Sequence, residues 1–529
     1  MPLQKVLFKP GVNRENTRYT TEGGWYECDK VRFRQGTPEK IGGWIQFSAD
    51  TFLGVCRSLW NWVTLAGQNL IGAGTSLKFY INQGGVFFDI TPVRKVVRPM
   101  LGSSGTGDPF TVVDNSSTIT VYDAAHGCNS NDFVIFSGAV GINSTITAGL
   151  LNREYQVSVV DLNTYTITAF NNTLSNGSGT GGGASVVATY LVNVASEVQT
   201  PSVGWGGGGW GLGGWGTNKV TGAPLQLWTQ SNFGEDLIFA SVGGAIYYWN
   251  ASVQLPGQTF TISIASPGIL TFGDAHGLLV GDALQLVTTG ALPTGLFPNV
   301  TYYVTATSFT TTTVTLAATF GGVAINTTGT QSGIHSLSVR GILLSSLGGA
   351  SAVPTIQNSI FVSDASRFVF AFGCNDIGST VQDPMLIRWS DQENPTMWTP
   401  AITNQAGSIR LSHGSKIVSV IQTRQEIVVF TDASVYSLQY LGAPFVWSSQ
   451  LLGDNISILG PNSVALASGV VYWMGVDKFY SYDGRVQTLN CDLRKFIYQD
   501  INLTQNYQVF GSTNEGFNEV WWFYCSAYN

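Results

Sequence analysis

The clearest regularity along the chain is a series of short apolar runs separated by polar turns. It is sharpest towards the C-terminus, where such runs occupy residues 416–421, 426–432 and 435–440. Strands of this length and spacing are typical of radial architectures built from small repeated antiparallel sheets, or blades. Comparable strand–turn–strand units, with an aromatic residue ending the inner strand, recur at residues 57–92, 225–249 and 353–524. The pattern predicts an all-β fold with a β-propeller-like platform.

Two stretches within this pattern repeat each other. Residues 119–127 (ITVYDAAHG) match residues 269–277 (ILTFGDAHG) at an offset of 150, and Asp132 falls on Asp282 in the same register. Two later strands match at an offset of 147, namely residues 155–157 with 302–304 and residues 166–168 with 313–315. Each copy reads as a small antiparallel β module of roughly 80 to 90 residues.

The two copies interrupt the platform, and the sequence therefore predicts five segments. These are the N-terminal part of the platform (1–105), the first inserted module (106–195), platform with a Gly/Trp-rich loop (196–257), the second inserted module (258–345) and the C-terminal blades (346–529). A solenoid is excluded, because solenoid repeats must be adjacent to bury their faces on one another.

The Gly/Trp-rich loop, residues 201–216, carries Trp205, Trp210 and Trp215 at a spacing of five. Glycine frees the backbone, whereas a tryptophan ring needs a surface to cover. The loop is therefore not a neutral spacer. Its rings either pack on the platform or contact a neighbouring subunit or another partner.

Charge is scarce and unevenly distributed. Charged residues make up 11% of the chain, against roughly 25% in an average soluble domain. The first hundred residues hold thirteen Lys or Arg and seven Asp or Glu, a balance of +6, whereas the remainder has a balance of −13. Tight binding of nucleic acid through phosphates needs clustered cations, so sequence-specific DNA recognition is not expected. We expect any DNA channel to be neutral or acidic, with Arg32, Arg34, Lys40 and Arg57 off it, near subunit contacts.

The six cysteines show no C-x-x-C spacing, which argues against a zinc site and a disulfide framework. Reduced, mostly buried thiols are the expectation. The N-terminus has no apolar signal region, and no apolar run is long enough to cross a bilayer, so the protein is expected to be soluble when made.

Candidate chemistry is sparse. His126 and His276 sit beside glycine at matching places in the repeat, but a metal site needs three or four converging ligands, so a structural role is expected. Asp391 and Glu393 are the best carboxylate pair for glycoside hydrolysis, yet Asn394 and Pro395 follow and indicate a solvated turn. The sequence predicts no catalytic, cofactor-binding or metal-binding residues, no cofactor, and no enzymatic activity.

One passage resembles a known family. Residues 386–400 read LIRWSDQENPTMWTP, and a QTRQE turn and a YLGAP run follow at residues 422–426 and 440–444. This sequence is similar to the tail nozzle, or tail tubular protein B-like, family of short-tailed bacteriophages. The resemblance covers residues 353–524 and returns at residues 30–34 (KVRFR) and 42–44 (GGW).

The resemblance implies a structural virion protein of the phage tail, assembled in the host cytoplasm. It implies a homohexameric ring that forms the distal DNA-ejection channel, docks to the portal adaptor above and to tail fibres or spikes, and contacts passing genomic DNA only transiently. Stable membrane insertion is not expected. One alternative is a receptor-binding or fibre-anchoring tail protein that uses the duplicated modules, and a more distant one is a propeller glycoside hydrolase. The resemblance also suggests that the last blade is either incomplete in this chain or completed by the N-terminus.

Overall fold

The computed structural model describes residues 8–528 except 16, 18, 21, 22, 106, 200–224 and 253–256. Regular structure in these residues is almost entirely β, and most strands belong to small antiparallel sheets. The predicted fold class, an all-β propeller-like platform interrupted by two copies of an inserted module, is confirmed. Among the described residues, none of the helices has the length and apolar composition that crossing a bilayer requires.

The chain begins with a hairpin and then forms the first blade. The hairpin consists of β1 (Val31–Arg34) and β2 (Thr37–Lys40). Blade 1 has four antiparallel strands in chain order: β3 (Cys56–Val63), β4 (Asn69–Thr75), β5 (Phe79–Gln83) and β6 (Val86–Asp89).

Module 1 follows blade 1 as two sheets packed around one core. Its strands are β7 (Val93–Val97), β8 (Phe110–Val112), β9 (Thr118–Tyr122), β10 (Phe133–Ser137), β11 (Glu154–Gln156), β12 (Ser158–Val159), β13 (Thr164–Thr168), β14 (Gly179–Gly181) and β15 (Val187–Leu191). One sheet has the order β11-β10-β15-β7 and the other β12-β13-β9-β8-β14. A short helix, α1 (Ala148–Leu151), and a 3₁₀ turn (Phe170–Asn172) connect the strands.

Blade 2 is interrupted by module 2. Its first three strands are β16 (Trp228–Phe233), β17 (Asp236–Ser241) and β18 (Ile246–Trp249). Module 2 is a closed barrel of β19 (Thr259–Ile262), β20 (Ile269–Phe272), β21 (Ala283–Thr288), β22 (Thr301–Val304), β23 (Thr313–Ala317) and β24 (His335–Leu337). The two-residue β25 (Ile342–Leu343) then pairs with β18 and completes blade 2, and a 3₁₀ turn (Leu344–Ser346) follows.

Three complete blades follow, each with four strands in chain order. Blade 3 is β26 (Ser359–Val362), β27 (Val369–Phe372), β28 (Leu386–Trp389) and β29 (Gly407–Arg410). Blade 4 is β30 (Ile417–Gln422), β31 (Ile427–Thr431), β32 (Ser434–Gly442) and β33 (Val446–Asp454). Blade 5 is β34 (Val464–Ala467), β35 (Val470–Met474), β36 (Phe479–Tyr482) and β37 (Val486–Leu489).

Blade 6 differs from the others. Helix α2 (Arg494–Asp500) and a 3₁₀ segment (Leu503–Gln508) lead into β38 (Phe510–Asn514) and β39 (Glu519–Phe523), joined by a 3₁₀ turn (Glu515–Phe517). These two strands pair only with each other within the described residues. The N-terminal hairpin lies against them, with Arg32 Nε 3.3 Å from Glu519 Oε1 and the ring centroids of Trp44 and Trp521 6.0 Å apart.

Apolar cores lie between successive blades. Leu237 and Phe239 of β17 pack towards blade 1, whereas Ile238 and Ala240 of the same strand pack towards blade 3. Equivalent cores join blades 3 and 4, blades 4 and 5, and blades 5 and 6. Because side chains alternate across a strand, each blade is apolar on both faces. This explains the nearly continuous apolar strand sequences.

The module boundaries differ from the predicted ones. Val93–Val97 pairs with β15, so module 1 includes residues well before 106. Ile342–Leu343 pairs with blade 2, so module 2 ends before residue 345. Both strands directly adjoin platform sequence, and sheet membership depends on a distant partner rather than on local pattern.

The modules share one strand order, and the predicted register is right only in part. Leu284 pairs with Tyr302 as Val134 pairs with Tyr155, which confirms the offsets of 150 and 147 there. The amide of Phe272 donates to the carbonyl of Thr312, as Asp123 donates to Asn163, which makes the offset 149 in these strands. Module 2 therefore has one additional residue before its His-Gly turn, and the predicted matches of residues 119–122 and 166–168 are out of register.

A square of charges ties both insertions to the platform. Lys78 of blade 1 contacts the carboxylates of Asp89, at 2.8 Å, and Glu154 of module 1. Arg340, between module 2 and β25, completes the square at 3.3 Å from Asp89 and 3.2 Å from Glu154. Lys78 is buried, and removing one member of such a set leaves uncompensated charge.

Replacing Asp89 with Asn tests this square. Burial alone would raise the pKa of Asp89, but Arg340 and Lys78 hold it at about 2, below the ordinary 3.8. A carboxylate with a lowered pKa stabilises the fold above its unfolded-state pKa, and this contribution is lost as the pH falls through the folded-state pKa. We expect Asp89→Asn to lower the free energy of unfolding by about 2 kcal/mol at neutral pH. The difference from wild type should shrink between pH 4 and pH 2.

Denaturant titrations at neutral pH, pH 4 and pH 2 measure this difference. Asp383→Asn is the matched control, because it removes the more exposed pair with Arg410 and should cost less than about 1 kcal/mol. A difference that stays constant down to pH 2 would contradict the role given to Asp89.

Candidate functional site

The RWSD passage forms a structural knot in blade 3. Arg388 on β28 is buried, and its guanidinium donates to the carbonyls of Ala352 at 2.6 Å, Asn375 at 3.1 Å and Trp398 at 3.5 Å. Backbone carbonyls, rather than a carboxylate, compensate this buried cation. The second tryptophan of the motif, Trp398, is also buried, and its indole donates to the carbonyl of Pro395 at 2.7 Å.

The carboxylates next to this knot belong to a turn. Asp391 accepts hydrogen bonds from the amides of Gln392 at 2.9 Å and Gln405 at 2.8 Å. Glu393 occupies the left-handed region with φ of 57°. Asp391 and Asn394 bridge across the turn that the sequence predicts here. The Asp391 oxygen that accepts these amides therefore organises a loop.

The two repeat histidines make the same contacts in both modules. His126 Nδ1 accepts from the Cys128 amide at 3.0 Å, and its Nε2 lies 2.9 Å from the Asp161 carbonyl. His276 makes the equivalent bonds with the Leu278 amide and the Thr310 carbonyl, both at 2.9 Å. The accepting Nδ1 assigns the proton to Nε2, and both ring nitrogens are occupied. The predicted structural role matches this geometry.

Metal and thiol chemistry find little support in the described residues. No group of three or more His, Cys, Asp or Glu side chains could hold a metal ion there. All six cysteines are free; Cys374 is buried and the other five are half-buried, so the expectation of mostly buried thiols is only partly met.

The N-terminal basic residues include two with partners inside the chain. Arg32 lies beside Glu519, and its guanidinium stacks 3.4 Å from the ring centroid of Phe517. Arg57 donates to the Gln508 side chain at 3.1 Å and to the Glu197 carbonyl at 2.6 Å. The expectation that the basic N-terminal residues serve subunit contacts is thus wrong for Arg32 and Arg57, which hold blade 6 to the N-terminal hairpin and to blade 1. Arg34 and Lys40 are exposed.

A cavity of about 380 Å³ lies between module 2 and blade 2. Two of the polar side chains that line it are already hydrogen-bonded, since Asp282 accepts from the Leu279 amide and Tyr248 donates to Asp236. Burial raises the pKa of Asp282. The remaining lining is largely apolar, as at a packed joint between two units.

Exposed apolar side chains mark a more distinctive surface on blades 3 and 4. The hairpin between β32 and β33 carries Leu441 and Phe445, with Phe445 76% exposed. The Tyr440 hydroxyl lies 3.0 Å from Gln405 Oε1, which places the hairpin beside the loop of the fully exposed Ile402. We call Ile402, Tyr440, Leu441 and Phe445 the hairpin-tip surface. Grouped exposed apolar side chains of this kind are typical of protein–protein contacts.

The hairpin-tip surface includes the YLGAP run that the sequence analysis singled out for its resemblance, whereas its exposure was not predicted. Trp205, Trp210 and Trp215 of the Gly/Trp-rich loop lie outside the described residues.

No family model matches the chain, and no curated protein matches it. Among solved structures, the chain is similar to the phage phi92 endosialidase, with 12% identity, a TM-score of 0.19, and coverage of 83% of this chain and 55% of that one. It is also similar to the extracellular domain of a protein described as a one component system from B. thetaiotaomicron, with 10% identity, a TM-score of 0.20, and coverage of 87% and 58%. The chain thus spans little more than half the length of either, and likeness at this level carries no conclusion about function.

Replacing Arg388 with Lys tests the knot. A lysine ammonium cannot reproduce the planar fork that reaches three carbonyls, so buried acceptors lose their donors. We expect the free energy of unfolding to fall by roughly 3 kcal/mol. The control Arg410→Lys alters an exposed pair and should change it by less than about 1 kcal/mol. Denaturant titration measures both, and equal effects would argue against a special role for Arg388.

Proposed function

We propose that the protein is a structural component of a short-tailed bacteriophage tail, namely the tail nozzle. In this role it forms a homohexameric ring that extends the DNA-ejection channel, docks to the portal adaptor and carries tail fibres or spikes. It acts by assembly rather than by catalysis, and its place is the virion.

The observation that carries the proposal is how the two resembling stretches lie in the fold. Residues 353–524 comprise blades 3 to 6 in uninterrupted order. Residues 30–44 are far away in sequence, yet they contact this unit through Arg32 with Glu519 and Trp44 with Trp521. Two separate sequence resemblances to one family therefore meet in one structural unit, which supports the family assignment.

The hairpin-tip surface supports the assembly role. Its apolar side chains project from the same unit, and a neighbouring subunit would remove them from water, each large side chain contributing about 1.5–3 kcal/mol. A ring requires such a heterologous contact to be repeated around an axis.

The duplicated modules favour a second candidate, a receptor-binding or fibre-anchoring protein. They lie side by side, with Asn299 Nδ2 3.4 Å from Thr189 Oγ1 and the Arg98 guanidinium 4.2 Å from the ring centroid of Phe297. Paired modules of this kind could present one composite surface. Subunit number separates the candidates, because fibre proteins are typically elongated trimers.

Native mass spectrometry of the full chain tests the proposal. We expect a hexamer, and we expect Leu441→Asp combined with Phe445→Asp to convert it to smaller species, because buried unpaired carboxylates oppose the contact. Val323→Asp is the matched control, since Val323 is 90% exposed but lies in module 2. A stable trimer would favour the second candidate, and a hexamer unaffected by the double substitution would remove the hairpin-tip surface from the interface.

Weak DNA binding is a second consequence. A conduit that neutralised many phosphates would hold the duplex, and Arg32 and Arg57 are engaged within the chain. We expect the assembled protein to bind a short duplex no more tightly than non-specific proteins do, with Kd above about 10⁻⁶ M at physiological salt. Fluorescence anisotropy over a salt series measures this. Tighter binding with a steep salt dependence would show a basic lumen instead.

A further inference from the structure

The junction between blades 6 and 1 lacks the apolar core found at the other junctions of the platform. Five cores join blades 1 to 6 in sequence, and among the described residues no sixth core joins blade 6 to blade 1. Arg57 and Gln508 bridge the two blades at the start of β3 and β38. Beyond that bridge, the junction presents two apolar faces without a buried core.

The blade 1 side of this junction is formed by one face of β3. Trp60 and Trp62 point towards blade 2, where their indoles donate to Asn232 at 3.1 Å and to the Glu235 carbonyl at 2.7 Å. Leu59 and Val63 alternate with them and are 67% and 58% exposed. The following Leu65 is also exposed. In the other blades, both faces of the first strands lie against neighbours.

The blade 6 side is formed by aromatic residues of its two strands. Phe510 and Phe523 are register partners, and their rings stack with centroids 4.7 Å apart. Trp521 lies on the same face, and its ring centroid is 5.9 Å from that of Phe523. Trp522 points the other way, into the core with blade 5. We call Leu59, Val63, Leu65, Phe510, Trp521 and Phe523 the seam face.

The chain enters and leaves the segment 200–224 at one end of this seam. Gln199 exchanges two hydrogen bonds with Gln505, at 2.9 Å from its amide and 2.7 Å to its carbonyl. The preceding Glu197 accepts from Arg57, on β3 itself. Ser196 bridges Leu225, so the segment's two ends are held together. Twenty-five residues therefore start and finish where blades 1 and 6 meet.

The composition of that segment complements the seam face. Residues 200–224 contain Trp205, Trp210, Trp215 and one charged residue, Lys219. Six residues of extended chain reach about 20 Å, which is the length of β3 from Arg57 to Val63. Glycines between the tryptophans allow close approach of the backbone to a surface.

From these observations we propose that the segment 200–224 of the same chain binds the seam face through its tryptophans and supplies the apolar contacts missing between blades 6 and 1. The proposal is independent of hexamer formation, because the occupant belongs to the chain that carries the face.

Photocrosslinking from the segment tests where it binds. Benzoylphenylalanine in place of Trp210 is introduced into the full chain, which is mixed with ¹⁵N-labelled protein before irradiation. We expect crosslinks to the peptides of β3 or β38–β39, with both peptides carrying the same isotope. Mixed-isotope crosslinks would identify a second copy as the occupant and overturn the proposal, as would crosslinks confined to the modules.

Hydrogen exchange provides an independent measurement. With Trp205, Trp210 and Trp215 all replaced by Ser, we expect amides of residues 56–65 and 510–523 to exchange at least about threefold faster, because local opening no longer breaks apolar contacts. The matched control, Val381→Ser with Ile402→Ser, removes exposed apolar side chains of blade 3 and should leave those peptides unchanged. Unchanged exchange in the triple variant, or equal acceleration in the control, would overturn the proposal.

Discussion

The platform depends on the apolar cores that consecutive blades share. In β31, Ile427 and Val429 belong to the core with blade 3, whereas Val428 and Phe430 belong to the core with blade 5. A four-stranded sheet with two apolar faces is not stable alone in water, because at least one face must be covered by a neighbour. Each blade therefore requires the next one, and the requirement stops only where the ring closes on itself or another segment covers the last face.

The two modules are tolerated within this arrangement because each has its own core. Phe110, Tyr165 and Tyr190 are completely buried inside module 1, and Leu286 and Val314 inside module 2. Neither module borrows apolar contacts that a blade needs for its neighbour. The modules are instead attached by the charge square around Lys78, in which each oxygen or nitrogen accepts or donates at a defined place. Charged contacts constrain orientation without competing for the apolar faces.

Sequence reasoning succeeded where burial leaves a local record. Strands buried on both faces are continuous apolar runs, so β30, β31 and β32 begin or end within about two residues of their predicted bounds. The His-Gly turns were recognisable because one side chain satisfies its own loop. The charge square was not recognisable, since Lys78 and Arg340 are brought together only by the insertions between them. The two-residue β25 and the strand at residues 93–97 were misassigned for the same reason, because their partners lie far along the chain.

The same distinction explains what the motif residues do. Arg388 and Trp398 carry much of the resemblance, yet both are buried and bonded to backbone carbonyls of their own blade. Lys78, Arg340, Arg32 and Arg57 likewise make contacts within the chain. With few charges overall and these held in place by the fold, the surface has little with which to grip an anionic polymer. Recognition between copies must then come from exposed apolar and neutral polar side chains, which is what the hairpin-tip surface provides and what a channel component that must release DNA requires.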